Sequence, residues 1–179
     1  MKTMKPFQLM ILLFAFGLFT FSCKSDDDGG GGGDASAGTI TAKVDGTQYT
    51  TMEMVTFASS SGNSLIISGN TGTGTPTRAF TLNILMIDGV GTYPIGGGPN
   101  VFTTASYTEV TVDPANPMNA ETLNWQAPYS DTQAGEVKIS ELTSTHVKGT
   151  FHFKAQNVLG DNSIKNISEG SFNVAIQQN

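Results

Sequence analysis

The chain has 179 residues, with nine Lys and Arg against fifteen Asp and Glu, a formal charge of −6. That balance argues against a nucleic-acid partner, because neutralising phosphates takes a basic stripe. A single cysteine, Cys23, rules out an intramolecular disulfide.

Lys2 and Lys5 open the chain, and an apolar run from Phe7 to Phe21 follows, interrupted by Gln8, Gly17 and Thr20. This is the n-region and h-region of an export signal. The run is shorter than the roughly 20 apolar residues a spanning helix needs. It ends at Ser22-Cys23, a small residue and a thiol, so residues 1–22 look like a bacterial lipoprotein signal peptide and Cys23 is the expected site of lipid attachment. Thr20 and Phe21 depart from the aliphatic and small residues usual at those positions. An ordinary secretory signal with an incidental cysteine is the alternative.

Residues 23–38 then read as a tether: Lys24-Ser25, three aspartates (Asp26, Asp27, Asp28), glycines 29–33 and Asp34-Ala35-Ser36-Ala37-Gly38. Gly-rich chain of this length behaves as a coil spanning on the order of 20 Å. The block Lys24, Ser25, Asp26, Asp27 and Asp28 resembles the acidic stretch after the acylated cysteine in surface-exposed lipoproteins of Bacteroidota. That resemblance implies an export signal and a lipid-anchored place in the outer membrane, facing the cell surface. A solvated spacer on a periplasm-facing lipoprotein is the bland counterpart.

Residues 39–179 are long enough for one domain with a real core, and their pattern is all-β. Ile40, Ala42 and Val44 alternate with Thr41, Lys43 and Asp45, and Asp45-Gly46 turns the chain into a strand predicted over about residues 48–57. Ser60-Ser61-Gly62-Asn63 breaks the chain before Leu65-Ile66-Ile67. After Gly/Thr-rich residues 71–77, a strand over 78–87 puts Phe80, Leu82, Ile84 and Met86 on one face and Leu85 and Ile87 on the other. Apolar on both sides, it belongs at the centre of a sheet. Residues 89–100 read as turn and loop around one short extended piece.

Further strands are predicted over 101–112, 121–129, 135–142, 146–155 and 164–176. The clearest alternation sets Val147, Gly149, Phe151, Phe153 and Ala155 inward against His146, Lys148, Thr150, His152 and Lys154 outward. In the last strand a shift near Ile167 to Gly170 marks a bulge. About nine short strands predict a single antiparallel β-sandwich or flattened β-barrel, between which the pattern does not choose.

Three stretches near the C-terminus carry a further resemblance: Gly135-x-Val137-x-Ile139, Lys148-Gly149-Thr150-Phe151-x-Phe153 and Glu169-Gly170-x-Phe172-x-Val174. With Ala42-x-Val44-Asp45-Gly46 near the start, they are similar to a widespread group of Bacteroidota lipoproteins without an established activity. The resemblance implies a small β domain on a lipid tether and assigns no catalytic residue.

Chemistry is sparse. His146 and His152 share a strand face six residues apart, about 20 Å, too far to hold one metal. No G-x-S-x-G, S-x-x-K or H-E-x-x-H occurs. Gly72-x-Gly74 and Gly89-x-Gly91 complete no phosphate-binding motif and open no predicted helix. Glu109, Glu121, Asp131 and Glu141 offer no singled-out pair for glycoside hydrolysis. Asp113, Asn116, Asn119 and Glu121, on a proline-stiffened loop over residues 113–121, are the weak calcium candidates, since calcium takes six to eight oxygens. Trp125 and Tyr129 could stack on sugar, but parity with Leu123 and Ala127 puts the tryptophan in the core. Tyr93 and Tyr107 stay ambiguous.

The expectation is a non-catalytic, lipid-anchored binding module without a cofactor. Its loops would hold an envelope or extracellular ligand, carbohydrate above others. A structural or adhesion lipoprotein acting by protein contacts is the alternative, and a hydrolase the third reading. An exposed aromatic strip favours the first, an open sheet edge or apolar patch the second, and facing carboxylates in a cleft the third.

Overall fold

A computed structural model describes residues 34–98 and 100–177. The expected signal peptide over residues 1–22, Cys23 and the Lys24 to Asp28 block lie outside the described residues. Packing starts earlier than the boundary expected at Thr39. Ala35 is 6% exposed, its carbonyl accepts the Asn173 side-chain amide at 3.3 Å, and the Gly38 N–H donates to Asn173 O at 2.7 Å.

The strands are β1 (Thr39–Val44), β2 (Thr47–Thr50), β3 (Phe57–Ser61), β4 (Ser64–Asn70), β5 (Thr77–Ile84), β6 (Gly91–Ile95), β7 (Thr103–Asp113), β8 (Asn116–Ala127), β9 (Gly135–Leu142), β10 (His146–Gln156) and β11 (Ile164–Gln177). They form two layers. One runs β2-β1-β11-β10-β9-β6 and the other β3-β4-β5-β7-β8. The layers share hydrogen bonds at two corners, where the end of β11 pairs with β3 in parallel and Gln156 of β10 bridges Gln126 of β8. A continuous circuit β11-β3-β4-β5-β7-β8-β10 therefore closes on itself. The molecule is all-β, a sandwich hydrogen-bonded into a flattened barrel, so the two expected descriptions merge.

Eleven strands replace the expected nine or so, partly because the stretch read as one strand over 48–57 is broken. A short 3-10 turn, Glu53–Val55, carries the chain from one layer to the other. Two buried threonines pin that corner: Thr51 Oγ1 accepts the Ile40 N–H at 2.8 Å and the Thr56 hydroxyl at 2.7 Å. Their hydroxyls supply the partners that a strand break in the interior lacks.

β5 lies centrally, between β4 and β7. It ends at Ile84, however, and only one of its faces is apolar. Phe80, Leu82 and Ile84 are buried, whereas Leu85 and Met86 lie beyond the strand and are exposed. The alternation read in β10 holds throughout: Val147, Gly149, Phe151, Phe153 and Ala155 are all buried.

The expected bulge in β11 is present. Phe151 faces Gly170 but Phe153 faces Ile167, so β11 spends one residue more than β10 there, and one more than β1. Glu169 occupies that position with φ 48° and takes Lys43 as an ion-pair partner at 2.7 Å. The extra residue switches the inward set from Ile167 to Gly170, Phe172, Val174 and Ile176, keeping one apolar face on a strand paired along both edges.

Inward phenylalanines stand opposite inward glycines. Phe151 pairs with Gly170, Phe172 with Gly149, Phe153 with Gly135 and Phe80 with Gly69. A Cβ on Gly170 would lie 2.6 Å from Phe151 O and 2.7 Å from its ring, and one on Gly149 would collide with Lys138 O and the Phe172 ring. Gly170→Ala is therefore expected to cost about 1–3 kcal/mol, with part of the loss recovered by adding Phe151→Leu. Equilibrium unfolding of the single and double variants measures this coupling. Additive losses would show that the ring and the glycine do not compete for space.

Candidate functional site

The two outer faces of the sandwich differ in charge. On the β11-β10-β9 side, solvent meets Lys43, Glu136, Lys138, Glu141, Lys148, His152, Lys154 and Glu169, an ordinary mixed surface. His146 and His152 lie six residues apart on one continuous strand, and His152 faces Glu136 of β9.

The other outer face is uncharged. Because Leu65, Ile67, Phe80, Leu82, Ala105, Tyr107, Trp125 and Ala127 point inward, the residues between them point out. Their register aligns three rows. The middle row runs Phe57, Ser68, Thr81, Ser106, Gln126 across β3, β4, β5, β7 and β8. Beside it lie Ser59, Ile66, Asn83 and Thr104 on one side, and Asn70, Ala79, Thr108 and Asn124 on the other. No Asp, Glu, Lys, Arg or His occurs in any row.

A groove of about 300 Å³ is cut into this face, lined by Thr81, Asn83, Thr104, Ala105, Ser106, Gln126, Ala127 and Pro128. Some of the polar atoms are satisfied within the face: the Ser68 and Thr81 hydroxyls meet at 3.2 Å, and Asn124 Nδ2 donates to Thr108 Oγ1 at 2.7 Å. Asn83 Oδ1 and Asn124 Oδ1 are buried without a hydrogen-bond partner. Such acceptors cost free energy until a donor reaches them. Phe57, 37% exposed, stands at the far end of the middle row.

Two other polar sets turn inward or downward and serve the fold. Tyr107 donates to Glu109 Oε1 at 2.6 Å, Arg78 Nε lies 3.6 Å from the same oxygen, and the Arg78 guanidinium covers the Tyr49 ring at 4.3 Å. Burial, then the Glu109 carboxylate, push the Tyr107 hydroxyl well above its ordinary range, so it remains a donor. Trp125 is 3% exposed, with its Nε1–H on Ser163 Oγ at 2.9 Å and its ring 5.7 Å from that of Tyr107. It is a core residue, as parity required, and Tyr107 joins it. Tyr93 packs partly against the core and donates to Gly89 O at 2.7 Å.

The calcium candidates are not on a long loop. β7 and β8 continue as a two-stranded arm, Val112 opposite Ala120 and Asp113 opposite Asn116, so the turn is only Pro114-Ala115 and residues 117–119 bulge. Asp113 Oδ1 accepts the Ala115 N–H at 2.8 Å, a local turn lock that Asp and Pro favour on their own. Asp113, Asn116, Asn119 and Glu121 are all exposed, and among the described residues no three acidic, histidine or cysteine side chains gather as a metal would need. Millimolar calcium is expected to leave the thermal midpoint where a chelator leaves it, and a reproducible rise with calcium would reinstate this arm as an ion site.

Sequence reasoning missed Phe57, Thr81, Asn83, Thr104, Ser106 and Gln126. A signal was available: in the three rows the outward positions of these five strands are mostly Ser, Thr, Asn and Gln, with Phe57, Ile66 and Ala79, and none is charged. No curated protein and no solved structure matches the chain. A family model described as a domain of unknown function (DUF6252) matches residues 36–175, most of the chain and nearly all of the described β domain, and the chain belongs to that family.

Proposed function

We propose that this chain is a lipid-anchored, non-catalytic binding module of the outer membrane, facing the cell surface, and that its uncharged sheet face holds a carbohydrate from the envelope or its surroundings. Cys23 is the anchor in this reading and Lys24, Ser25, Asp26, Asp27 and Asp28 the export signal, both resting on the sequence. The observation that carries the binding site is the groove of about 300 Å³, lined by neutral hydroxyl, amide and small side chains, on a face whose three rows hold no charged residue. Sugars present dense arrays of hydroxyls, which both donate to and accept from such side chains.

Glycoside hydrolysis uses two carboxyl groups across the scissile bond. The lining of the groove supplies neutral side chains, which supports holding over cutting. The adhesion reading draws on a different feature, the exposed Leu85, Met86, Val90, Val101 and Phe102, in two loops tied by the Leu85 N–H on Phe102 O at 2.7 Å. The sheet edges favour it less: β2 has four residues, and β6 five including Pro94, the short, proline-bearing edges that resist strand addition.

A thermal-shift panel of soluble glycans tests the proposal. A glycan at about 100 times its Kd should stabilise the domain by roughly 2.7 kcal/mol. Gln126→Ala, at an exposed position, should weaken that binding about three- to tenfold without altering the unliganded midpoint. Silence across the panel, or a shift untouched by Gln126→Ala together with Asn83→Ala, would move the site off this face.

A further inference from the structure

Building on the carbohydrate reading, we infer that the ligand is an uncharged oligosaccharide laid across the strands, running from Gln126 through the groove to the ring of Phe57. Three observations point the same way: the charge of the face, the shape of the groove and the order of side chains along one row.

Charge comes first. The chain carries −6 overall, yet the exposed rows of β3, β4, β5, β7 and β8 contain neither acid nor base. The charged pair on β5 and β7, Arg78 and Glu109, takes inward positions and lies 3.6 Å apart, with the Arg78 guanidinium over Tyr49. A uronic or sulfated polymer would find no cation here, and the net negative charge of the molecule would repel it. A neutral sugar loses nothing on either count. Its hydroxyls can exchange hydrogen bonds in both senses with Thr104, Ser106 and Gln126 of the groove lining.

Shape gives the direction. The groove spans three strands, β5, β7 and β8, but only two residue rows. At strand spacings near 4.8 Å and about 3.4 Å per residue, this is about 10 Å across the strands against about 7 Å along them. Continuing across, the middle row reaches the short Ser68 on β4 and then the half-exposed Phe57 on β3. The whole row covers about 19 Å. Small side chains at Ser68, Thr81 and Ser106 make a floor between two taller ends, an amide at Gln126 and an aromatic ring at Phe57. The amide suits a polar sugar edge, and the ring the apolar C–H face of a pyranose.

The test is calorimetric titration of the full-length chain, in a detergent without a sugar headgroup, with neutral gluco-, manno-, galacto- and xylo-oligosaccharides of graded length and with their uronic counterparts. Affinity for one neutral series should rise with length until the 19 Å row is filled, and the uronic counterpart should bind at least about tenfold more weakly. Phe57→Ala should cost about tenfold on the longest ligand and leave the shortest unaffected, whereas Gln126→Ala should weaken both. Affinity independent of length, equal binding of uronic chains, or an unchanged Phe57→Ala variant would overturn this inference while Gln126→Ala kept the binding site in place. Absence of binding by every series, or light scattering that shows two copies joined through this face and separated by Ser106→Lys, would overturn the carbohydrate reading itself. Phe57 and Gln126 both lie at the surface, and unchanged thermal unfolding of each variant confirms that only binding was altered.

Discussion

The fold depends on a steric interlock between two antiparallel strands. β10 carries Gly149-Thr150-Phe151 and β11 carries Gly170-Ser171-Phe172, and the register sets Gly149 against Phe172 and Phe151 against Gly170. Each ring occupies the space that a Cβ would take on the facing strand. The two rings stack at 6.3 Å, and Phe151 reaches Phe80 of the opposite layer at the same separation. Phe80 continues through Tyr107 to Trp125 at 5.4 and 5.7 Å. One aromatic chain thus ties both layers together, and aromatic pairs of this kind contribute about 0.5–1.5 kcal/mol each beyond their buried area. A register slip by one residue would place both phenylalanines in water and both glycines under nothing. The bulge at Glu169 holds that register while the strand changes parity.

The interlock also explains why one outer face can be uncharged and still belong to a stable domain. The core draws on Phe80, Tyr107 and Trp125 from the inward positions of β5, β7 and β8, and the partners of these rings lie in the other layer or beside them in the same one. The outward positions of those strands are left with no structural duty beyond staying polar. Cross-strand hydroxyl and amide pairs such as Ser68 with Thr81 and Asn124 with Thr108 suffice for that. The opposite face carries charges of both signs, and Arg78 and Glu109, on β5 and β7, pair with each other on the inward side.

Much of this was legible in the residues. Period-two alternation in His146 to Ala155 set the inward face of β10 without ambiguity, and the parity break after Ile167 located the bulge. Parity also placed Trp125 in the core against the pull of its ring. What failed were features decided by tertiary partners. The turn at Glu53–Val55 interrupts a stretch whose local pattern reads as strand, because the chain changes layers there and Thr51 and Thr56 can satisfy the exposed backbone. The oxygen-rich Asp113 to Glu121 segment looked like a loop because Pro114 and Pro117 obscure an arm held by β7. The groove was hidden for a simpler reason. Ser, Thr, Asn and Gln at outward strand positions look like ordinary surface until the register shows that five strands share the same omission.

That omission sets this face apart from an ordinary solvated sheet. Exposed sheets usually carry Lys or Glu, which discourage association with other sheets and keep the molecule soluble. Here the opposite face does so and this one does not, although the same apolar core lies beneath both. Replacing any one of these hydroxyls by lysine would cost the fold little, since exposed substitutions usually fall within about 0.5 kcal/mol. Under the proposed reading, a face free of charge at so many permitted positions suits a partner that charge would disturb. For a neutral, hydroxyl-rich partner the reason is direct: each lysine or glutamate would bring a hydration shell that the sugar must displace, while a neutral amide or hydroxyl exchanges one water-like bond for another. Binding built this way varies little with ionic strength, because there is no ion pair for salt to screen.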